Sequence, residues 1–225
     1  MSSAGGTDRR AARGPIPRGA RRRAEIASAA EHVFLQHGFA ETTMQMVALA
    51  AGSSKETLYR HFGSKEELFI EVVDNRNNEV RQVLDANLES DGAVPVVLRS
   101  VGVALLECMC SPTVVALARM IVNETHRHPA LGEAFYAMAP GRTLQKLTVY
   151  LAEARARGEF TGGDPARAAE IFTGSIMGKF VPLMLFTPHA FGIDPDQIRD
   201  HVAEAVAVFV KSYATKDYRR FDDKS

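Results

Sequence analysis

Apolar positions recur along this chain every three or four residues from about Arg18 until the last dozen positions. No stretch alternates apolar and polar residues between turn dipeptides, so the pattern predicts an all-α fold. In the first helix Ile26, Ala30, Val33 and Phe34 share one face, and His37-Gly38 ends it with a residue that accepts a left-handed backbone. Thr42 with Gln45, Ser53 with Glu56 and Ser64 with Glu67 have capping-box spacing and predict the starts of the next three helices. The fourth helix is long and carries Leu68, Phe69, Val72, Val73, Val80, Val83, Leu84 and Leu88 on a broad stripe.

Past Gly92 proline marks the helix starts, at Pro95, Ser111-Pro112, Asp164-Pro165 and Asp194-Pro195. These signals predict helices over about 94–109, 112–127, 130–157 with a break near Pro140-Gly141, 165–186 and 195–213, about nine to ten in all. The expected organisation is a basic arm over 1–17, a three-helix helix-turn-helix unit over 18–65, a helical ligand-binding and dimerisation unit over 66–215, and a tail over 216–225.

Within this pattern one segment has a specific geometry. Ala48, Gly52 and Leu58 supply what two helices crossing at a wide angle need: a small contact residue, a turn residue tolerant of positive φ, and an inward anchor. Such a unit leaves its second helix on the surface, free to enter a major groove. Ser54, Lys55, Thr57, Tyr59 and His61 face outward on it, with Lys65 at the start of the next helix, and these donors suit phosphate oxygens.

Charge strengthens that reading. The net charge is zero, yet residues 1–65 hold ten Lys and Arg against five Asp and Glu. A basic head on an acidic body suits a polyanion bound at one end. Seven arginines lie between Arg9 and Arg23. The Arg21-Arg22-Arg23 run reads either as a solvated helix end or as DNA contacts ahead of the helix-turn-helix.

The segment AGSSKETLYRHFGSKEELF resembles the signature of the TetR family, with a Gly-x-Ser start, a Leu-Tyr-x-His-Phe core and a following Lys-Glu-x-Leu. The resemblance extends back through Ile26, Ala29, Ala30, Phe34, Gly38 and Phe39 and covers about residues 21–70. It implies a dimeric regulator bound to a palindromic operator on double-stranded DNA and responsive to a small-molecule effector. It also implies that Thr42 or Thr43, Ser54, Tyr59, His61 and Lys65 hold phosphates, while Lys55, Glu56 and Thr57 face base edges. Glu56 departs from the small residue usual at its position; it either caps helix 3 or accepts from a cytosine amino group.

Beyond residue 70 the sequence says less. Met109, Met120, Asn123, His126, Phe135, Tyr136, Tyr150, Phe172 and Met177 combine apolar surface with polar groups, and read as ligand-pocket lining or as ordinary core. Gly174 and Gly178 permit close approach of another helix and point to a homodimer interface. Cys108 and Cys110 match neither a zinc nor a redox spacing, and His126 and His128 lack further ligands, so no metal or cofactor is expected. No Ser-His-Asp order, phosphate-cradling glycine loop or Glu-x-x-His pair appears, which argues against an enzyme. No apolar run reaches membrane length, and the expected compartment is the cytoplasm. The alternative function is a helical adaptor using the helix-turn-helix for protein contacts.

Overall fold

The computed structural model describes residues 18–213 apart from 91, 162 and 188–193. The basic arm and the tail expected at the two ends lie outside the described residues. Among those described, the fold is all-α, with eleven helical segments: α1 (Arg18–Glu41), α2 (Met44–Ala50), α3 (Lys55–His61), α4 (Lys65–Leu88), α5 (Val94–Met109), α6 (Pro112–Glu124), α7 (Pro129–Met138), α8 (Pro140–Ala156), α9 (Pro165–Met177), α10 (Phe180–Phe186) and α11 (Pro195–Tyr213).

The proline signals fall where the helices begin. Ser111 and Asp164 cap α6 and α9 by accepting from the amides of Val114 and Ala166, each with proline in the first turn. The break expected near Pro140 separates α7 from α8. The single helix expected over 165–186 instead divides at Gly178-Lys179 into α9 and α10, which accounts for a count above that expected. In α1, Gly38 has φ +74 and ψ 171, a glycine conformation that ends the regular helix where the sequence placed its stop.

Two of the expected caps are displaced by one residue. Thr43, not Thr42, caps α2 by accepting from Met46 N, and Ser54, not Ser53, caps α3 by accepting from Thr57 N. Ser64 caps α4 as expected, its Oγ accepting from Glu67 N (3.1 Å), while the returning bond of the box is displaced by one residue: Glu67 Oε2 accepts from Gly63 N (2.9 Å).

Two large cores organise the chain. One contains Ile26, Phe34, Phe39, Val47, Leu58, Phe62, Leu68 and Phe69 from the first four helices, and Leu117, Ile121 and Leu131 from α6 and α7 complete it. Phe34, Phe39 and Phe69 form an aromatic knot at its centre, with ring centroids 4.9–5.9 Å apart. The other core joins α4, α5, α8, α9 and α11 through Leu84, Leu98, Leu106, Leu147, Phe172 and Val206. α4 belongs to both. At the middle of its length Arg76 pairs with the buried carboxylate of Glu31, tying it to α1.

Candidate DNA-binding surface and ligand cavity

α2 and α3 meet across the turn Ala51-Gly52-Ser53. Ala48 and Leu58 are both buried at this crossing, and Gly52 turns the chain at φ +55. The turn is tightened by Gly52 N donating to Leu49 O (3.1 Å) and Ser53 N to Ala48 O (2.9 Å). With Leu58 anchored inward, α3 presents Ser54, Lys55, Glu56 and Tyr59 to solvent, and Tyr59 is 46% exposed. Lys55 Nζ stands 5.8 Å from the Tyr59 ring. Thr57 and His61 are half-buried at the edge of the same face. The Glu56 carboxyl is held below its ordinary pKa by hydrogen bonding to its own backbone amide and to Ser54, the capping alternative for this residue.

Four of the expected contact positions, Thr42, Arg22, Arg23 and Lys65, are occupied with internal work. Thr42 is 1% exposed and its hydroxyl donates to Gly38 O at 2.6 Å, so it cannot reach a phosphate; the exposed neighbour is Thr43. The arginine run does not act as one patch, because successive helical residues point about 100° apart. Arg22 donates to the carbonyls of Ala51 (2.9 Å) and Gly52 (3.0 Å), clamping the turn from α1. Arg23 donates to His61 O and to Glu71 (2.7 Å) and lies 4.3 Å over the Phe62 ring; its bond to Glu71 raises its pKa further. Only Arg21 of the three is exposed, 3.6 Å from Glu25. Lys65 Nζ donates to Phe39 O (2.8 Å) and Ala40 O (3.1 Å) and lies 4.5 Å from the Phe39 ring, closing the end of α1. Its ammonium has three hydrogens, so one donor is left for an outside acceptor.

A cavity of about 140 Å³ opens between α4, α5, α7, α8 and α9, with Val114 of α6 also in its lining. Of the nine residues proposed from sequence, Met109, Phe135 and Met177 line it. Met120 packs against the N-terminal core, Tyr150 and Phe172 lie inside the other core, and Asn123, His126 and Tyr136 face solvent. The sequence reading missed Asn77, Arg81, Arg142, Lys146 and Thr173 in the lining. A signal for two of them existed: Val73, Asn77, Arg81 and Leu84 follow one face of α4, so polar residues interrupt an inward stripe. Phe135 lines the cavity and also packs against the N-terminal core.

An open groove of about 320 Å³ runs between α9 and α11, with Ile171, Ser175, His201, Val208 and Phe209 in its lining. Gly174 is exposed here, and a Cβ added to it would meet nothing within 4 Å. Gly178 caps the end of α9, so the two glycines straddle a helix end and do not form one continuous stripe. No group of three or more metal-ligating side chains is assembled among the described residues, and no single described helix is long and apolar enough to cross a membrane.

Residues 26–72 match the family model of bacterial regulatory proteins of the tetR family, and residues 96–215 match that of the AefR-like transcriptional repressor C-terminal domain. The HTH-type transcriptional activator FasR of Mycolicibacterium smegmatis is 44% identical over 67 residues, which cover 28% of this chain and 31% of FasR. The chain therefore spans about a third of the length of the first curated relatives it matches. A crystal structure of a TetR-family regulator from Mesorhizobium loti superposes with a TM-score of 0.79 at 28% identity, over 89% of this chain and 100% of the other. The flavonoid-responsive regulator FrrA superposes with a TM-score of 0.72 at 29% identity, over 88% of this chain and 99% of FrrA. The exposed recognition helix, its clamped turn and these matches over both halves agree: the chain belongs to the TetR family of transcriptional regulators.

Proposed function

We propose that this protein is a homodimeric repressor that occupies a palindromic operator and releases it when a small molecule fills the α4–α9 cavity. The observation that carries the reading is α3: it is anchored by Leu58 and braced by Arg22 and Arg23, while its outer face is left open to solvent. Thr43, Ser54, Tyr59, His61 and Arg21 hold phosphates, with Lys65 contributing its remaining donor. Lys55 and Thr57 read base edges. Dimerisation uses the α9–α11 face, where Ile171 and Val208 are exposed beside Gly174. The match to a repressor C-terminal domain and the likeness to a flavonoid-responsive regulator support a small-molecule-relieved repressor.

Recognition helices of a dimer enter major grooves about 34–36 Å apart, so a shift of a few ångströms in their separation prevents joint docking. The path from cavity to α3 runs through two routes. α4 carries Asn77 and Arg81 at the cavity and Leu68 and Phe69 in the N-terminal core, and Phe135 of α7 touches both regions. A coupling of about 1–3 kcal/mol corresponds to a release of about 5–150-fold.

The test is gel retardation with DNA from upstream of the protein's own gene. A retained fragment containing an inverted repeat, with affinity falling steeply as salt rises, is expected. Failure to retain any such fragment above the level of random DNA at low salt refutes the reading.

A further inference from the structure

The chemistry of the α4–α9 cavity defines a ligand class. Its wall is mostly apolar, with Leu84, Leu105, Met109, Phe135 and Met177 among its residues. At about 140 Å³ it has nearly the size of an apolar cavity known to hold a single benzene ring, and its methionines adapt readily to a ring edge or face. Two polar atoms break this wall. Asn77 Nδ2 and Thr173 Oγ1 are shut off from solvent and have no hydrogen-bond partner within the protein. Buried polar atoms are nearly always paired, so two orphans on cavity-lining residues of different helices fit an occupant that accepts hydrogen bonds once the two side chains turn toward it.

The charges lining the cavity are of one sign. Arg81, Arg142 and Lys146 contribute to it, and no carboxylate does. Arg81 is paired with Asp74, and Lys146 with Asp85. Arg142 is exposed at the cavity and has no ion-pair partner among the described residues.

We infer that the cavity binds a small aromatic carboxylate of about benzoate size. The ring lies against the methionine and phenylalanine wall. The carboxylate accepts from the Asn77 amide and the Thr173 hydroxyl and is neutralised by Arg142. This inference rests on the cavity being the effector site of the proposed repressor, and its test separates the two.

The full chain, without DNA, is titrated calorimetrically with benzoate, benzamide and benzylamine. These probes share a ring and differ in charge. Benzoate binds about tenfold tighter than benzamide, the difference expected when an acceptor becomes ionised, and benzylamine binds weakest. Arg142→Gln brings benzoate down to the benzamide level and leaves benzamide unchanged. Thr173→Val weakens benzoate binding while the free protein melts no lower than wild type, so the loss is not misfolding. Benzamide binding as tightly as benzoate, a preference for benzylamine, or no benzoate binding at millimolar concentration overturns the inference. Gel retardation with benzoate then reads the regulatory step by itself. Benzoate that binds but leaves DNA retained upholds the ligand class and refutes release; release by neutral compounds without benzoate binding does the reverse.

Discussion

Replacing Arg23 with alanine separates bracing of the recognition helix from contact with DNA. The guanidinium makes three contacts at once: His61 O at the end of α3, Glu71 of α4 at 2.7 Å, and the Phe62 ring at 4.3 Å. The Arg23 and Glu71 side chains are 40% and 27% exposed, so water screens their pair and it contributes no more than about 0.5–1 kcal/mol. The bond to the His61 carbonyl adds about 1 kcal/mol, and the stacking over Phe62 about 0.5–1 kcal/mol. These contributions share one side chain and overlap, giving a loss of about 2 kcal/mol. For a chain of this size that lowers Tm by about 4–8 °C. DNA affinity falls too, because α3 loses its C-terminal anchor, but the slope of log affinity against log salt stays near wild type. Arg21→Ala gives the opposite signature: stability within about 0.5 kcal/mol of wild type and a slope smaller by about one. The assays are thermal melting by circular dichroism and binding isotherms at several salt concentrations. An Arg23→Ala protein that melts like wild type and loses one unit of salt slope would refute the bracing argument.

Lys65→Ala loses two carbonyl bonds and the Phe39 contact, so it lowers stability by about 1–2 kcal/mol, whereas Lys55→Ala melts like wild type and relaxes preference at one base pair per half-site by about 1–3 kcal/mol; melting curves and binding to a set of single-substituted operators distinguish them. Thr173→Val removes an unpaired buried hydroxyl and raises the melting temperature of the ligand-free protein by about 2–4 °C, a gain of about 1 kcal/mol. Val208, 63% exposed on α11, tolerates Glu within the protomer, but like charges meeting across a two-fold axis convert the dimer to monomer in sedimentation at micromolar concentration. Burial pushes the Cys110 thiol up to about 11, keeping it protonated at pH 8. In a Cys108→Ser protein, which drops the smaller contribution of the Cys108 thiolate and keeps the burial, alkylation by iodoacetamide is slower than for free cysteine and speeds up on unfolding.

The architecture was legible where local chemistry is unambiguous. Ser111-Pro112 and Asp164-Pro165 each combine a capping oxygen with a residue that cannot continue a helix backward, and α6 and α9 begin there. The doublets Thr42-Thr43 and Ser53-Ser54 are different, since either member can cap. Tertiary burial decides between them: Thr42 turns inward to Gly38 O, and Ser53 Oγ is buried at the turn. The helix-turn-helix was legible because its crossing depends on side-chain size at Ala48, Gly52 and Leu58, which a sequence states directly. The roles of Arg22, Arg23 and Lys65 were not, because a cation suits a backbone carbonyl as well as a phosphate. The cavity was the least legible. It is built from six helices, and a residue such as Phe172 differs from Phe135 only in which neighbours the fold brings to it.

The N-terminal core is not self-contained, and this limits how the chain can be cut and recombined. Leu117, Ile121 and Leu131, from α6 and α7, fill one side of the core around the recognition helix. A fragment ending after α4 would leave that side as bare apolar surface, with each missing leucine or isoleucine costing about 2–5 kcal/mol. Such a fragment should aggregate and not serve as a free-standing DNA reader. Grafting the DNA-reading half of a relative onto this effector half therefore has to match the α6 and α7 faces as well as the α4 junction. Specificity in such chimeras is inherited as a matched pair of surfaces, not as a detachable head.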